Sequence, residues 1–238
     1  MKHAVWIVVA LLMGCSSAQI DQAVKETKKL AAAEKPLTAA EVGRGLKDAL
    51  VQGVGRGVDL LSQTDGYFGN AEVRIPFPAD LKKLEDTLRK VGLGDEVDRF
   101  VRTLNRGAEE AAKEARPIFV AAITSMTIED AWGILRGDDN AATAYLQKTT
   151  TPQLTQKFRP IMQKALDKTS ATQYFGDLVK RYNQIPLVQK INPDLNAYAT
   201  DRAIQGLFVQ IAKEEKNIRQ NPVARTTDLL KRVFGSKK

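Results

Sequence analysis

Histidine and cysteine each occur once in the 238 residues, as His3 and Cys15. Past Cys15 the chain holds neither an imidazole nor a thiol. Ser-His-Asp and Cys-His nucleophilic machinery therefore cannot be built from the rest of one chain. Zinc sites based on His and Cys are excluded there, as are His-ligated haem and the Glu-x-x-His pattern of helical di-iron proteins. No catalytic residue, no cofactor and no metal ligand is assigned. Aromatics are sparse at 6%, and Trp132 is the only tryptophan after Trp6, which argues against a ring-paved carbohydrate face. Disulfides are missing too, but a body of about 220 residues buries roughly 70–75% of its unfolded surface and needs none.

Long apolar runs are also lacking. The one at residues 4–13 follows Lys2 and His3 and ends at Gly14-Cys15-Ser16-Ser17. A basic start, a short apolar stretch and small residues at the break make a secretory signal. It is far short of the ~20 residues that cross a bilayer as a helix. Leu12-Met13-Gly14-Cys15 resembles the lipobox of bacterial lipoproteins, in which the cysteine thiol is acylated and becomes the new N-terminus. Acylation also explains a lone thiol in an exported chain, where oxidising compartments favour pairs. An ordinary export signal cut elsewhere, leaving Cys15 free, is the alternative. Ser16 after the cysteine resembles the sorting pattern for the outer membrane. The expected organisation is a signal over 1–14, a lipidated tether over 15–36, a helical domain over 37–235 and a basic tail over 236–238.

Positive charge is in excess, at +8 overall. Residues 213–238 carry eight basic side chains, Lys231 and Arg232 among them, against Glu214, Glu215 and Asp228. On an anchored envelope protein this bias suits anionic lipid headgroups or an acidic envelope partner rather than nucleic acid. Solvated faces and helix-end charges that complement the macrodipole are the plainer explanation. If the protein is an enzyme, it works on carboxylates, as glycosidases do. The candidate pairs are Asp65 with Glu72, Asp138 with Asp139, and Glu109 with Glu110 or Glu114. Each also reads as a turn residue, a helix N-cap or a solvated helix face.

The rest of the chain is punctuated by helix signals. Thr38 and Glu41 form a capping box that opens a stripe at Val42, Leu46, Leu50, Val54, Val58 and Leu61. Gly53 and Gly57 share one face of it, which points to close helix packing rather than a phosphate loop. Helices follow on Leu81, Leu84 and Leu88 and on Val97, Phe100 and Leu104. Between them Gly92 is a C-cap and Asp95 an N-cap, so the two form a hairpin. Thr127 starts the helix of Trp132 and Leu135, and Gly137-Asp138-Asp139 starts the next. Thr151-Pro152 reads as a fresh first turn before Leu154, Phe158 and Met162. Ser170-Ala171-Thr172-Gln173 opens another helix, Asn192-Pro193 a long one, and Asn221-Pro222 a last one that Gly235 stops. The predicted fold is all-α, a single-domain bundle of about ten helices.

One stretch breaks the pattern. Over residues 62–78 no helical period survives, Asp65-Gly66 and Gly69-Asn70 are turn pairs, and Val73-Arg74-Ile75 before Pro76 reads as a short extended piece. Tyr67, Phe68, Val73, Ile75 and Phe77 carry enough apolar surface to pack the loop down as a plug. A binding element is the alternative, and Tyr67, Phe68 and Arg74 are then its contacts, with Lys231 and Arg232 on the basic tail.

That loop and the closing Arg225-Thr226-Thr227-Asp228-Leu229-Leu230-Lys231-Arg232-Val233-Phe234-Gly235 resemble a bacterial family of unknown function, domain-of-unknown-function family 4197. Supporting segments are Met126-Thr127-Ile128-Glu129-Asp130-Ala131, Lys148-Thr149-Thr150-Thr151 before Gln153-Leu154, and Tyr182-Asn183-Gln184-Ile185-Pro186-Leu187-Val188. The resemblance spans about 37–235 and implies a largely helical envelope protein with no assigned reaction. The expectation is a lipid-anchored binding or scaffold module. A carboxylate cell-wall hydrolase and an apolar-ligand carrier are the alternatives.

Overall fold

The computed structural model describes residues 38–168, 183–184, 194–221 and 228–235. The chain divides after Thr38, and every described helix belongs to the unit Ala39–Lys238. The helices are α1 (Ala39–Leu61), α2 (Lys82–Lys90), α3 (Gly94–Ala112), α4 (Ala115–Ser125), α5 (Ile128–Arg136), α6 (Ala141–Asp167), α7 (Leu195–Gln220) and α8 (Asp228–Gly235). A 3-10 turn, Ala79–Leu81, precedes α2. Among the described residues there is no strand, and the fold is all-α. No single helix among them is long and apolar enough to cross a membrane.

Among the described residues eight helices stand where about ten were expected. One reason is α6, and the other is that one expected helix lies outside the described residues. Thr151-Pro152 does not begin a new helix, because α6 runs from Ala141 to Asp167 with Pro152 and Pro160 inside it. Both prolines are exposed. A proline leaves the carbonyl four residues back without its amide partner, and on a solvated face water can take that carbonyl. The helix's other side is continuous core, with Leu146, Leu154, Phe158, Met162 and Leu166 all buried. Burial at about 1.5–3 kcal/mol for each large side chain outweighs the roughly 3 kcal/mol of an interior proline. The helix expected from Ser170 and the start expected at Asn192-Pro193 lie outside the described residues. So does the Asn221-Pro222 junction beyond Asn221.

The α2–α3 hairpin has its glycine where expected. Gly92 takes a φ of +85°, and the Leu93 amide donates back to the Leu88 carbonyl at 2.9 Å, closing a Schellman turn. Asp95 is not the N-cap, however. α3 already begins at Gly94, so Asp95 sits in the first turn, where its charge still complements the helix dipole. Thr127 caps α5 as expected, with Asp130 completing the box.

α7 is the spine, packed against α6, α1 and α3. Gly53 and Gly57 of α1 face it. A Cβ on Gly53 would stand 3.1 Å from Ile218 Cδ1, and one on Gly57 3.5 Å from Gln210 Cγ. Close helix packing is what those glycines provide. Among the described residues, every buried side-chain nitrogen or oxygen has a hydrogen-bond partner.

The most consequential of these partners joins three helices. Glu215, buried in α7, accepts from the Ala142 amide at 3.0 Å and from the Thr143 amide at 2.8 Å. It thus caps α6, whose own N-cap residue, Asn140, makes no side-chain cap. Arg219, one turn on, donates to Glu215 at 2.8 Å and to the Ile134 carbonyl of α5 at 2.9 Å. One ion pair therefore satisfies the positive start of one helix and the negative end of another. Replacing Arg219→Ala strands a buried carboxylate and is expected to cost about 3–5 kcal/mol, while the paired change Glu215→Gln with Arg219→Met costs less. Urea unfolding midpoints check this, and a loss below about 1 kcal/mol for Arg219→Ala would refute the clasp.

Candidate functional site

α3 buries one face, through Val97, Phe100, Val101, Leu104, Ala108 and Ala111. Its outer edge repeats Arg99, Arg102, Arg106, Glu110 and Lys113 at helical spacing. α6 crosses at Gly107, where a Cβ would lie 2.9 Å from Ala165 Cβ and 3.1 Å from Met162 Sδ. Only a glycine lets the two backbones meet this closely. Above that crossing lies a groove of about 530 Å³ between the helices. Arg99, Arg102, Arg106 and Lys113 line it from α3, and Lys164 and Lys168 from α6 and its C-cap; its carboxylates are Glu109 and Glu110.

The segment over residues 62–78 forms one end of this groove through Ser62 and Thr64. It is a plug, held by buried polar groups of two helices. Glu109 accepts from the Tyr67 amide at 3.2 Å and the Phe68 amide at 3.1 Å through the same oxygen. Its other oxygen takes the Arg106 guanidinium at 2.6 Å, and Arg106 also reaches Asp65 at 2.7 Å. Asn105 accepts from the Ile75 amide and donates to the Ile75 carbonyl, both at 2.8 Å. The expected extended piece does not begin at Val73, which lies in a turn closed by the Val73 and Arg74 amides on the Asn70 carbonyl, and Asn105 satisfies the Ile75 backbone in place of a neighbouring strand. The Tyr67 hydroxyl donates to the Ala203 carbonyl at 2.7 Å, and the Tyr198 hydroxyl to the Pro76 carbonyl at 3.0 Å. Asp65 takes a φ of +66°, and Gly66 follows where a Cβ would stand 2.5 Å from the Leu60 carbonyl oxygen.

Tyr67 is fully buried, with Val73, Ile75 and Phe77 likewise in the core. It cannot meet a partner, which corrects its reading as a contact residue. Phe68 is half-buried, and three guanidiniums gather on its ring: Arg74 at 4.4 Å from the centroid, Arg102 at 5.3 Å and Arg106 at 5.8 Å. The ring's negative face offsets the repulsion among them. Arg106 is held above its usual range, first by its bond to Glu109. Arg74 is exposed. Lys231 and Arg232 are elsewhere. They lie on α8, which packs on α1 with Leu229 and Val233 over Gly45, and they line no part of the groove.

In each candidate pair at least one carboxylate is engaged structurally, while among the described residues the side chains of Asp138 and Glu114 make no bond of their own. Asp65 and Glu109 serve Arg106 and the plug, Glu72 pairs with Lys213, and Glu110 pairs with Lys113. Asp139 accepts from Gln220, the Asp138 carbonyl closes the turn before α6, and Glu114 stands at the N-cap of α4. Among the described residues no three carboxylates, histidines or cysteines converge as a metal site. Charge runs along the chain do not single out Arg99, Arg102, Arg106, Lys164 and Lys168. The signal that could have found them is the helical spacing of the three arginines, and of Lys164 with Lys168, on two separate helices.

A family model described as protein of unknown function (DUF4197) matches residues 36–235. The chain belongs to this family. The matched span takes in the plug, both walls of the groove and α8. No curated protein and no solved structure matches the chain.

Burial, with the Glu109 charge nearby, pushes the Tyr67 phenol above its ordinary 10.0. The unfolded chain then releases this proton near pH 10 while the folded chain keeps it, so the folded state loses ground as pH rises further. Above about pH 10 this one group lowers stability by roughly 1.4 kcal/mol per pH unit. Tyr67→Phe is expected to flatten the alkaline slope of unfolding free energy by that amount, at a cost near neutrality of about 1 kcal/mol for the lost hydrogen bond. Parallel slopes for the two proteins would contradict the assignment.

Proposed function

We propose that this protein is a lipid-anchored, non-catalytic binding module of the bacterial envelope that takes an anionic ligand in the α3–α6 groove. The anchor is Cys15, and the location is the periplasmic face of the outer membrane. The observation that carries the binding function is the charge of the groove. Its six cations outnumber the lining carboxylates by four, and still by two once Glu96 and Asp65, which reach Arg99 and Arg106, are counted. Uncompensated charge in a walled groove concentrates counter-ions and steers anionic partners. The partner is an acidic envelope component or an anionic lipid headgroup.

Two features weigh against the alternatives. A hydrolase needs a free pair of carboxylates, and Glu109 has both oxygens engaged in holding the plug. A hydrophobe carrier needs an apolar cavity, and among the described residues the apolar space walled by Leu46, Leu50, Ala142 and Ile218 amounts to about 10 Å³. That is at most the room of one water.

Two measurements test the proposal. Cells labelled with radioactive palmitate should yield labelled wild-type protein in the membrane fraction and unlabelled Cys15→Ser protein; label on neither removes the anchor. Fluorescent heparin serves as a general polyanion for the groove. Arg102→Glu with Lys164→Glu is expected to raise its Kd at least tenfold, about 1.4 kcal/mol. Lys231→Glu with Arg232→Glu should change it little. The reverse order of effects would move the site to α8.

A further inference from the structure

On the reading that the groove is an anion site, we infer that its ligand is an organic phosphate. The first reason is how the cations are spent. Among the described residues Arg99, Arg106 and Lys113 are paired with carboxylates, whereas Arg102, Lys164 and Lys168 have no carboxylate within bonding distance; Asp98, which acts electrostatically on Arg102, is itself bonded to Arg89. Arg102 comes from one wall and the two lysines from the other. A carboxylate presents two oxygens in one plane, and a single arginine fork satisfies it. A phosphate presents terminal oxygens tetrahedrally and accepts from both walls at once. A guanidinium with ammonium point charges facing it is the donor set such a group takes.

The second reason is charge. The groove's excess of two positive charges matches one phosphomonoester, which carries about −1.5 to −2 at neutral pH, or two phosphodiesters. Size supplies the third. About 530 Å³ lies within the ~300–1,000 Å³ of sites for organic ligands, far more than inorganic phosphate fills. Gly107, Ile161 and Ala165 belong to the uncharged part of the lining, and the methylene stems of the lysines extend it. The rest of the ligand, a glycerol or sugar unit, lies there.

Phe68 belongs to the same device. It is the hub that fixes the Arg102 head beside Arg106, so the guanidinium is posed before the ligand arrives. Two sources can supply this chemistry, a phospholipid headgroup in the membrane or a soluble phosphate ester.

The test uses the mature chain, soluble as Cys15→Ser, and probes matched in charge. Glycerol 3-phosphate and malate, each carrying about two negative charges at pH 8, are compared by calorimetry. Vesicles of phosphatidylcholine doped with cardiolipin are compared with vesicles doped with oleate to the same surface charge. At least tenfold tighter binding of the phosphate member of either pair, lost in Arg102→Ala with Lys164→Ala, is the expected result. Preference seen only on vesicles identifies the lipid source, and preference seen only in solution the soluble ester. Circular dichroism and a retained thermal midpoint establish that the variant, changed only at exposed positions, is folded. Equal binding of phosphate and carboxylate probes overturns the inference and leaves the anion groove standing. Failure of all four probes together with loss of heparin binding overturns both.

Discussion

A buried carboxylate that serves a loop is the constraint on which the rest of this structure depends. Glu109 lies under the plug and spends one oxygen on two consecutive amides, those of Tyr67 and Phe68. A loop that dives into a helical core brings amides with no helix to satisfy them, and each unpaired one costs about 1–3 kcal/mol. An ionised acceptor solves that problem, but it must itself be neutralised, and Arg106 does so from one turn away. Glu215 with Arg219 repeats the arrangement on α7, with a helix start in place of the loop. In both places an Arg–Glu pair on one helix organises backbone that is remote in sequence.

From this constraint the groove follows. Because the plug is held at Tyr67, Phe68 is fixed at the edge of α3, and its ring becomes the meeting point for Arg74, Arg102 and Arg106. Gly206 on α7 leaves the room. A Cβ there would stand 2.7 Å from Tyr67 Cε1 and 3.1 Å from Val73 Cβ. The neutral packing of the core thereby sets the position of exposed charge. Like charges gathered this way are unfavourable in isolation, and the Phe68 ring, with Glu109 and Asp65 on Arg106, offsets their repulsion.

Much of the architecture was legible because helices announce themselves locally. The Thr127–Asp130 box, the Gly92 turn and the Gly53/Gly57 face depend on residues within one or two turns of each other, and the structure has all three. Pro152 misled because local rules make proline a boundary, while the burial of Leu146 and Leu154 on either side keeps α6 whole. The cap on α6 was invisible for the opposite reason: it comes from Glu215, 73 residues away from Ala142. The groove lay hidden likewise. Its arginines and lysines sit on two helices, and only the crossing at Gly107 makes them one site. Summing charge along the chain pointed to the C-terminal helix instead.

The central claim is that Glu109 and Asn105 make the plug part of the core. Residue-resolved amide hydrogen exchange tests it most directly. The amides of Tyr67, Phe68 and Ile75, though they belong to no helix, should exchange as slowly as the centres of α3 and α7, through global unfolding alone. Exchange at those three positions orders of magnitude faster than in the two helices would mean that the loop opens on its own, and the account of the groove built upon it would fail.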